Sequence, residues 1–284
     1  MIPAERSLLR RILGSWSGWP LLAVVLVVAV LNALPLLLIE YPPFQDFGAH
    51  VQLLDAAARE GDPAYAYSQY VRPFDPLPLR PGTLSIFIAK ALSPLMGGWG
   101  SGRLLLFLYG VLLPLSLFAV ARAFGRSGWQ ALLACPLVYS RLLDQGFLDF
   151  LIGMPLLFAA LAATGQLVHR RAFSWRWALA LFGTLAALFL AHGLAFAFSA
   201  GLVAAVLVLR TRRPRDLVRF VPLLIVLVPF AIWMHKFLAG ARGAGATHFF
   251  PPFRNSLRTF HDEALGMFHA RLDERAEPGR EARA

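Results

Sequence analysis

Residues 12 to 39 carry no charged side chain, and that run constrains the chain more than any other feature. A helix crosses a bilayer with about 20 apolar residues, and this stretch is longer. Arg6, Arg10 and Arg11 precede it and Glu40 follows it. It is too long for a signal-peptide core, and no small-x-small cleavage pattern closes it. It is therefore expected to be the first transmembrane helix, with the N-terminus in the cytoplasm and Trp16 and Trp19 at the inner interface.

Composition extends this reading to the whole chain. Of its 284 residues, 58% are hydrophobic and 15% charged, against about 45–50% and about 25% in soluble domains. A water-soluble sphere of this size could not hide that much apolar surface. Further apolar runs lie at 104–121, 127–140, 150–168, 177–191, 193–209 and 220–238. His192-Gly193 divides the last long uncharged stretch into a tight helical hairpin. The net charge of +11 falls in clusters between the runs, as orientation signals do, so the basic residues are not read as a nucleic-acid surface. Three clusters (Arg122 and Arg126; Arg170, Arg171 and Arg176; Arg210 to Arg219) all reach the cytoplasm if residues 83–98 do not cross. The lone Cys135 excludes an internal disulfide and packs as a small apolar residue.

The expected fold is thus an all-α membrane protein of about seven transmembrane helices, lodged in the cell (inner or plasma) membrane. Residues 1–240 form its multi-pass domain. A long extracytoplasmic first loop, about residues 40–102, carries two interfacial helices. The first spans about Asp46 to Glu60, with Phe47, Val51, Leu54 and Ala58 on one face. The second, Thr83 to Leu95, is too short to span. Tyr41, Tyr65, Tyr67 and Tyr70 in this loop read either as an interfacial belt or as a wall for stacking a sugar ring. Residues 241–284 form a polar tail, with an amphipathic helix over 255–272 and a charged end expected to be disordered.

Chemistry-bearing residues gather on the outer side in this topology. Asp46 and His50 share a helix face at i, i+4, a spacing that lets a carboxylate and an imidazole share a proton. The plain alternative is that Asp46 caps the helix and His50 is solvated. Arg141, Asp144 and Asp149 lie between spans three and four, and His192 lies in the hairpin. His192 also suits a hydrogen-bonded helix end, and Asp144 and Asp149 suit loop solvation. Ionisable groups at membrane ends more often mark function. Arg72, Arg80, Arg103 and Arg141 stand against the positive-inside tendency; guanidinium groups bind phosphate in a bidentate way or pair with loop acids. No Walker loop, GxSxG, HExxH or Rossmann glycine pattern is present.

The order of these features is distinctive: a basic start and one span, then Pro-Pro-Phe-Gln-Asp46-Phe-Gly-Ala-His50, an amphipathic helix ending at Glu60-Gly61-Asp62, a Pro-rich aromatic stretch, a short apolar segment, and Gly-Arg103 opening the next span. Over roughly residues 1–240 this resembles the GT-C superfamily of integral-membrane glycosyltransferases, which use polyprenyl-phosphate-linked sugars. It looks like bacterial members with a Pro-Pro-x-Gln-Asp-x-x-x-His first loop, and more distantly like the aminoarabinose and protein-mannosyl transferases. The resemblance implies sugar transfer to a hydroxyl acceptor at the extracytoplasmic face, with Asp46 as catalytic base and His50 tuning it. Arg72, Arg103, Arg141, Asp149 and His192 would bind substrate. Many members use a divalent metal; Asp46 with Asp149 or Glu40 could ligate one, and no spacing here demands it. The chain has Ala49 before His50 and Asp149 where an Asn is expected. Two other readings stay open: a transporter or lipid-binding protein without covalent chemistry, and a subunit of a membrane complex with an unidentified protein partner.

Overall fold

The structure, a computed structural model, describes residues 18–59, 62, 80–170 and 172–243. The amphipathic helix expected over 255–272, together with Arg72, Tyr65, Tyr67 and Tyr70, lies outside the described residues. The chain forms two compact units, residues 1–230 and 231–284. All regular elements among the described residues are helical.

The first uncharged run gives α1 (Trp19–Leu38), opened by Pro20 in its first turn, where a missing N–H is harmless. The amphipathic stretch gives α2 (Phe47–Ala58), with Phe47, Val51 and Leu54 buried. Then come α3 (Leu84–Ala123), α4 (Ala134–Val138), α5 (Arg141–Gln145), α6 (Leu148–His169), α7 (Trp175–Ala191), α8 (Gly193–Arg210) and α9 (Val221–Gly243). Single 3₁₀ segments, Trp129–Leu133 and Pro214–Phe220, precede α4 and α9. Five helical stretches among the described residues are long and apolar enough to cross a membrane: 19–38, 84–123, 148–169, 193–210 and 214–239. The shorter α7 is apolar as well. Their outward surfaces carry large exposed apolar side chains such as Leu31, Leu179, Leu209 and Val228, which suit lipid rather than water. The chain is a helical membrane protein.

One sequence expectation needs correction. Residues 127–140 do not form one long helix. The 3₁₀ turn Trp129–Leu133, α4 and α5 replace it, because Gly128 holds a positive φ of 87° and Pro136 cannot supply a helical N–H. The broken segment nevertheless advances along α1. Ala131 packs on Leu21 and Val25 near the start of α1. The Asn32 amide then donates to the Cys135 carbonyl at 3.0 Å, and the Tyr139 hydroxyl donates to the Asn32 carbonyl. Finally, Gln45 and Asp46 beyond the end of α1 donate to Asp144 and Gln145. The Asn32 amide thus answers the Cys135 carbonyl, and the chain entering α2 answers the Asp144 and Gln145 carbonyls, peptide groups that the broken helix leaves open.

The short apolar helix expected over Thr83–Leu95 is present as the first limb of α3, which runs into the following span across a break at Gly97 (φ 68°, ψ 177°). Ile88 before the break and Leu105 after it line one cavity, whereas a straight helix would separate them by about 26 Å. The first limb therefore folds back over the second.

The helices sort the charges to two ends. At one end Gly165 meets Ala123 and Phe124, and Arg219 donates to the Arg170 carbonyl at 3.0 Å. Arg122, Arg126, Arg170, Arg176 and Arg210 belong to this end. At the other end lie the close of α1, α2, the start of α6 and the α7–α8 hinge, with Asp46, His50, Asp55, Asp149 and His192.

Candidate functional site

Three backbone devices converge at the acidic end. The first is Gly146, in the left-handed region at φ 71°, after the single turn of α5. A Cβ there would meet the Phe47 nitrogen at 2.6 Å and the Asp46 nitrogen at 3.2 Å. Only glycine lets this turn lie against the start of α2, where Asp46 donates its N–H to the Gln145 carbonyl at 3.0 Å. The second is a pair of bonds from Gly82 and Thr83 to the Ala191 and Leu190 carbonyls, at 3.1 and 2.9 Å. These fasten the start of α3 to the end of α7. The third is His192 itself, extended at φ −157° and ψ 120°, the single residue between α7 and α8.

Asp149, in the first turn of α6, is where these devices meet. Ser85 supplies a hydrogen bond to its carboxyl group, and the His50 and His192 imidazoles act on its charge. Its Oδ1 is buried without a hydrogen-bond partner among the described residues. A buried carboxyl oxygen left open is costly unless a ligand or water completes it. The His192 Nδ1 accepts from the Ala195 N–H at 3.4 Å, capping α8, and the Phe150 ring stands edge-on to the imidazole at 5.0 Å. The helix-end reading of His192 is borne out, and its imidazole also lies within reach of the Asp149 charge. Burial pushes its imidazole below the ordinary range, opposed by the nearby Asp149 charge.

Other expected site residues are placed less decisively. Asp46 occupies the N-cap position of α2 and makes no side-chain capping bond, so capping does not account for it. It is half-buried, as is His50 one turn on. Arg141 and Asp144 are exposed; the Asp144 backbone rather than its carboxylate holds the loop. Arg103 is half-buried, and its Nε has no partner among the described residues. No group of three or more His, Cys, Asp or Glu side chains among the described residues could hold a metal ion. A divalent cation at Asp46, Asp149 or Glu40 gains no support from that geometry.

Beside the polar cluster begins an apolar cavity of about 400 Å³. Leu84 and Ile88, next to Ser85, and Ile152, one turn past Asp149, line its near end. Leu115, Ser116 and Ala159 line its far end. From Leu105 to Ser116 the walls follow α3 for roughly 16 Å. Sequence reasoning missed Ser85 and this cavity. A lone serine in an apolar run carries no signal, and the cavity exists only because α3 folds back at Gly97.

No protein-family model, curated protein or solved structure matches the chain. The likeness to GT-C glycosyltransferases therefore rests on the order of its sequence motifs.

Proposed function

We propose that this protein is a membrane glycosyltransferase that takes its sugar from a polyprenyl-phosphate donor and passes it to a hydroxyl acceptor at the extracytoplasmic face. The observation that supports this reading is an apolar cavity whose Ile152 wall lies one turn past the half-buried Asp149 carboxylate and its two imidazoles. An amphiphile fits such a place, its hydrocarbon chain in the cavity and its polar head at Asp149. The arginine-rich end goes to the cytoplasm by the positive-inside tendency, which turns the Asp149 end outward. Counting the broken segment and α7 as crossings gives seven.

In this mechanism the acceptor hydroxyl oxygen attacks the anomeric carbon. The bond from that carbon to the phosphate oxygen breaks, and the phosphate leaves with the electron pair. The hydroxyl proton passes to Asp149, whose open Oδ1 supplies the acceptor atom, while Ser85 and the two imidazoles fix the carboxyl plane. Arg103 meets the charge growing on the leaving phosphate. Asp46, the base that the motif order implies, lies one helical turn before His50 and orients it in this scheme.

Transfer from a radiolabelled polyprenyl-phosphate sugar in proteoliposomes tests the assignment. Asp149→Asn should lower turnover about 10²–10⁴-fold, the range of a lost general base, with the protein still monodisperse. Full activity in that variant refutes Asp149 as base. Loss in Asp46→Asn alone returns the role to Asp46.

A transporter reading predicts ionisable groups spread through the depth of the spans. Here the acids and histidines of the cluster stand at one end, which favours a site over a conduit. Uptake of free sugar by vesicles without any transfer product would reverse that preference.

A further inference from the structure

A second cavity, of about 250 Å³, lies at the arginine end. Arg215, Asp216, Val218 and Arg219 line it from the 3₁₀ segment before α9, and Ala172 and Phe173 line it from the loop between α6 and α7. One buried side chain ties the two walls together. Arg219 is 6% exposed; its guanidinium pairs with Asp216 at 3.3 Å and donates to the Arg170 carbonyl at 3.0 Å. Each contact uses a different terminal nitrogen, so the guanidinium keeps further N–H donors at the wall. The Asp216 carboxylate is committed to the fold. Besides Arg219 it accepts the Arg212 and Arg213 backbone N–H groups, at 3.3 and 3.2 Å. Arg215 is exposed and makes no side-chain hydrogen bond or ion pair among the described residues.

We infer that this cavity holds the phosphate group of an anionic phospholipid from the leaflet at the arginine end. Charge calls for an anion. Asp216 is the one acid at that end among the described residues and is already engaged, whereas Arg170, Arg176, Arg210, Arg212 and Arg213 add to the charge of Arg215 and Arg219. Basic clusters beside membrane helices attract anionic lipid, and guanidinium groups clasp phosphate through paired N–H groups. A cluster that only set orientation would need neither a cavity nor a buried guanidinium. Size calls for a headgroup: about 250 Å³ falls below the roughly 300–1,000 Å³ of sites that enclose a whole ligand. The surroundings call for a lipid. Trp175 is 77% exposed and meets the Phe173 ring edge-on at 5.0 Å, as aromatic side chains do at a membrane interface. Val218 in the cavity wall is itself exposed, and Val221, Leu224 and Ile225 continue an exposed apolar surface into α9, a bed for acyl chains. The site stands at the opposite end from Asp149. It depends neither on sugar transfer nor on which leaflet the arginine end occupies.

Native mass spectrometry of the full chain, released from detergent micelles, counts the lipids that stay bound. The probes are dioleoyl phosphatidylglycerol, the zwitterionic dioleoyl phosphatidylcholine, and inorganic phosphate. Phosphatidylglycerol should bind saturably and in preference to phosphatidylcholine, and inorganic phosphate should not displace it. Arg215→Gln, at an exposed position, should weaken that binding about tenfold, the range of a hydrogen bond to a charged group, with the circular dichroism unchanged. Arg126→Gln removes an equal charge from the same end, outside the cavity walls, and should leave binding as it was. Equal binding of the two lipids overturns the proposal, and so does unchanged affinity in Arg215→Gln. Equal losses in the two variants overturn it too, because they reveal diffuse surface charge rather than a site. Phosphate that binds and excludes the lipid gives the cavity to a free anion and also overturns it. Should Arg215→Gln lose its fold, the lipid comparison on the parent chain decides. No sugar donor is present, so failed transfer in the earlier assay has no bearing on this result.

Discussion

Gly97→Ala isolates the backbone term at the break in α3. Nothing lies within 4 Å of the Cβ that alanine would add there, so crowding contributes nothing. What remains is the conformation: φ 68° and ψ 177°, where an L-residue costs about 1–3 kcal/mol. A loss of 1–2 kcal/mol changes the folding equilibrium by a factor of about 5–30. The matching control is Gly183→Ala. Gly183 is exposed inside α7, and its added Cβ would also meet nothing. A regular helix interior gains about 0.5–1 kcal/mol when glycine becomes alanine. The same chemical change should therefore have opposite signs at two uncrowded sites. Equilibrium unfolding in mixed detergent–SDS micelles, followed by far-ultraviolet circular dichroism, measures both. Equal stability of Gly97→Ala and the parent, or shifts of the same sign in the two variants, refutes the glycine-only conformation at the break.

Other consequences can be checked with the same preparations. Gly110→Ala places a Cβ 2.7 Å from the Ala33 Cβ and should destabilise by about 1–3 kcal/mol of overpacking; Ala33→Gly should recover most of that loss in the double variant. The folded-state pKa of His192 lies below its unfolded value of 6.5, so on acidification the unfolded chain takes up the proton first. Its stabilising contribution is complete above about pH 6.5 and declines as pH falls through the folded value. His192→Gln should flatten stability against pH in that acid window, and an unchanged slope would refute the burial argument. Arg219 bridges the Asp216 carboxylate at 3.3 Å and the Arg170 carbonyl at 3.0 Å. Arg219→Met should lower the midpoint of thermal unfolding, and an unchanged midpoint would show that these two bonds contribute nothing.

The helical fold was legible where length alone decides. A charge-free run such as 12–39 can only be hidden from water as a span, and the division at His192-Gly193 followed from a stretch too long for one crossing. The amphipathic pattern of Phe47, Val51 and Leu54 placed α2 within a residue or two. The broken segment after α3 was not legible in the same way. Residues 127–140 have the composition of a spanning helix, and only Gly128 and Pro136 hint at interruption; which side chain replaces a lost helical bond depends on Asn32 and Cys135 meeting across 103 positions. The fold-back of α3 had a visible cue in Gly97-Gly98, but the close approach of Gly98 to Asp55 is a tertiary contact that the local pattern does not announce. For the site, charge at the membrane ends pointed to His50, Asp149 and His192 because ionisable groups there are expensive. Ser85 and the cavity beside it depend on tertiary folding, which local pattern does not encode.

The interrupted stretch between α3 and α6 also bears on biogenesis. Its peptide groups near Cys135 and Tyr139 are answered by Asn32 and neighbouring backbone, so it is poorly suited to partition into hydrocarbon as a lone segment. Moving α1 to the far end of the polypeptide should therefore leave the Cys135 carbonyl without its Asn32 partner while the stretch is being made, even though every residue needed for the mature packing is still encoded.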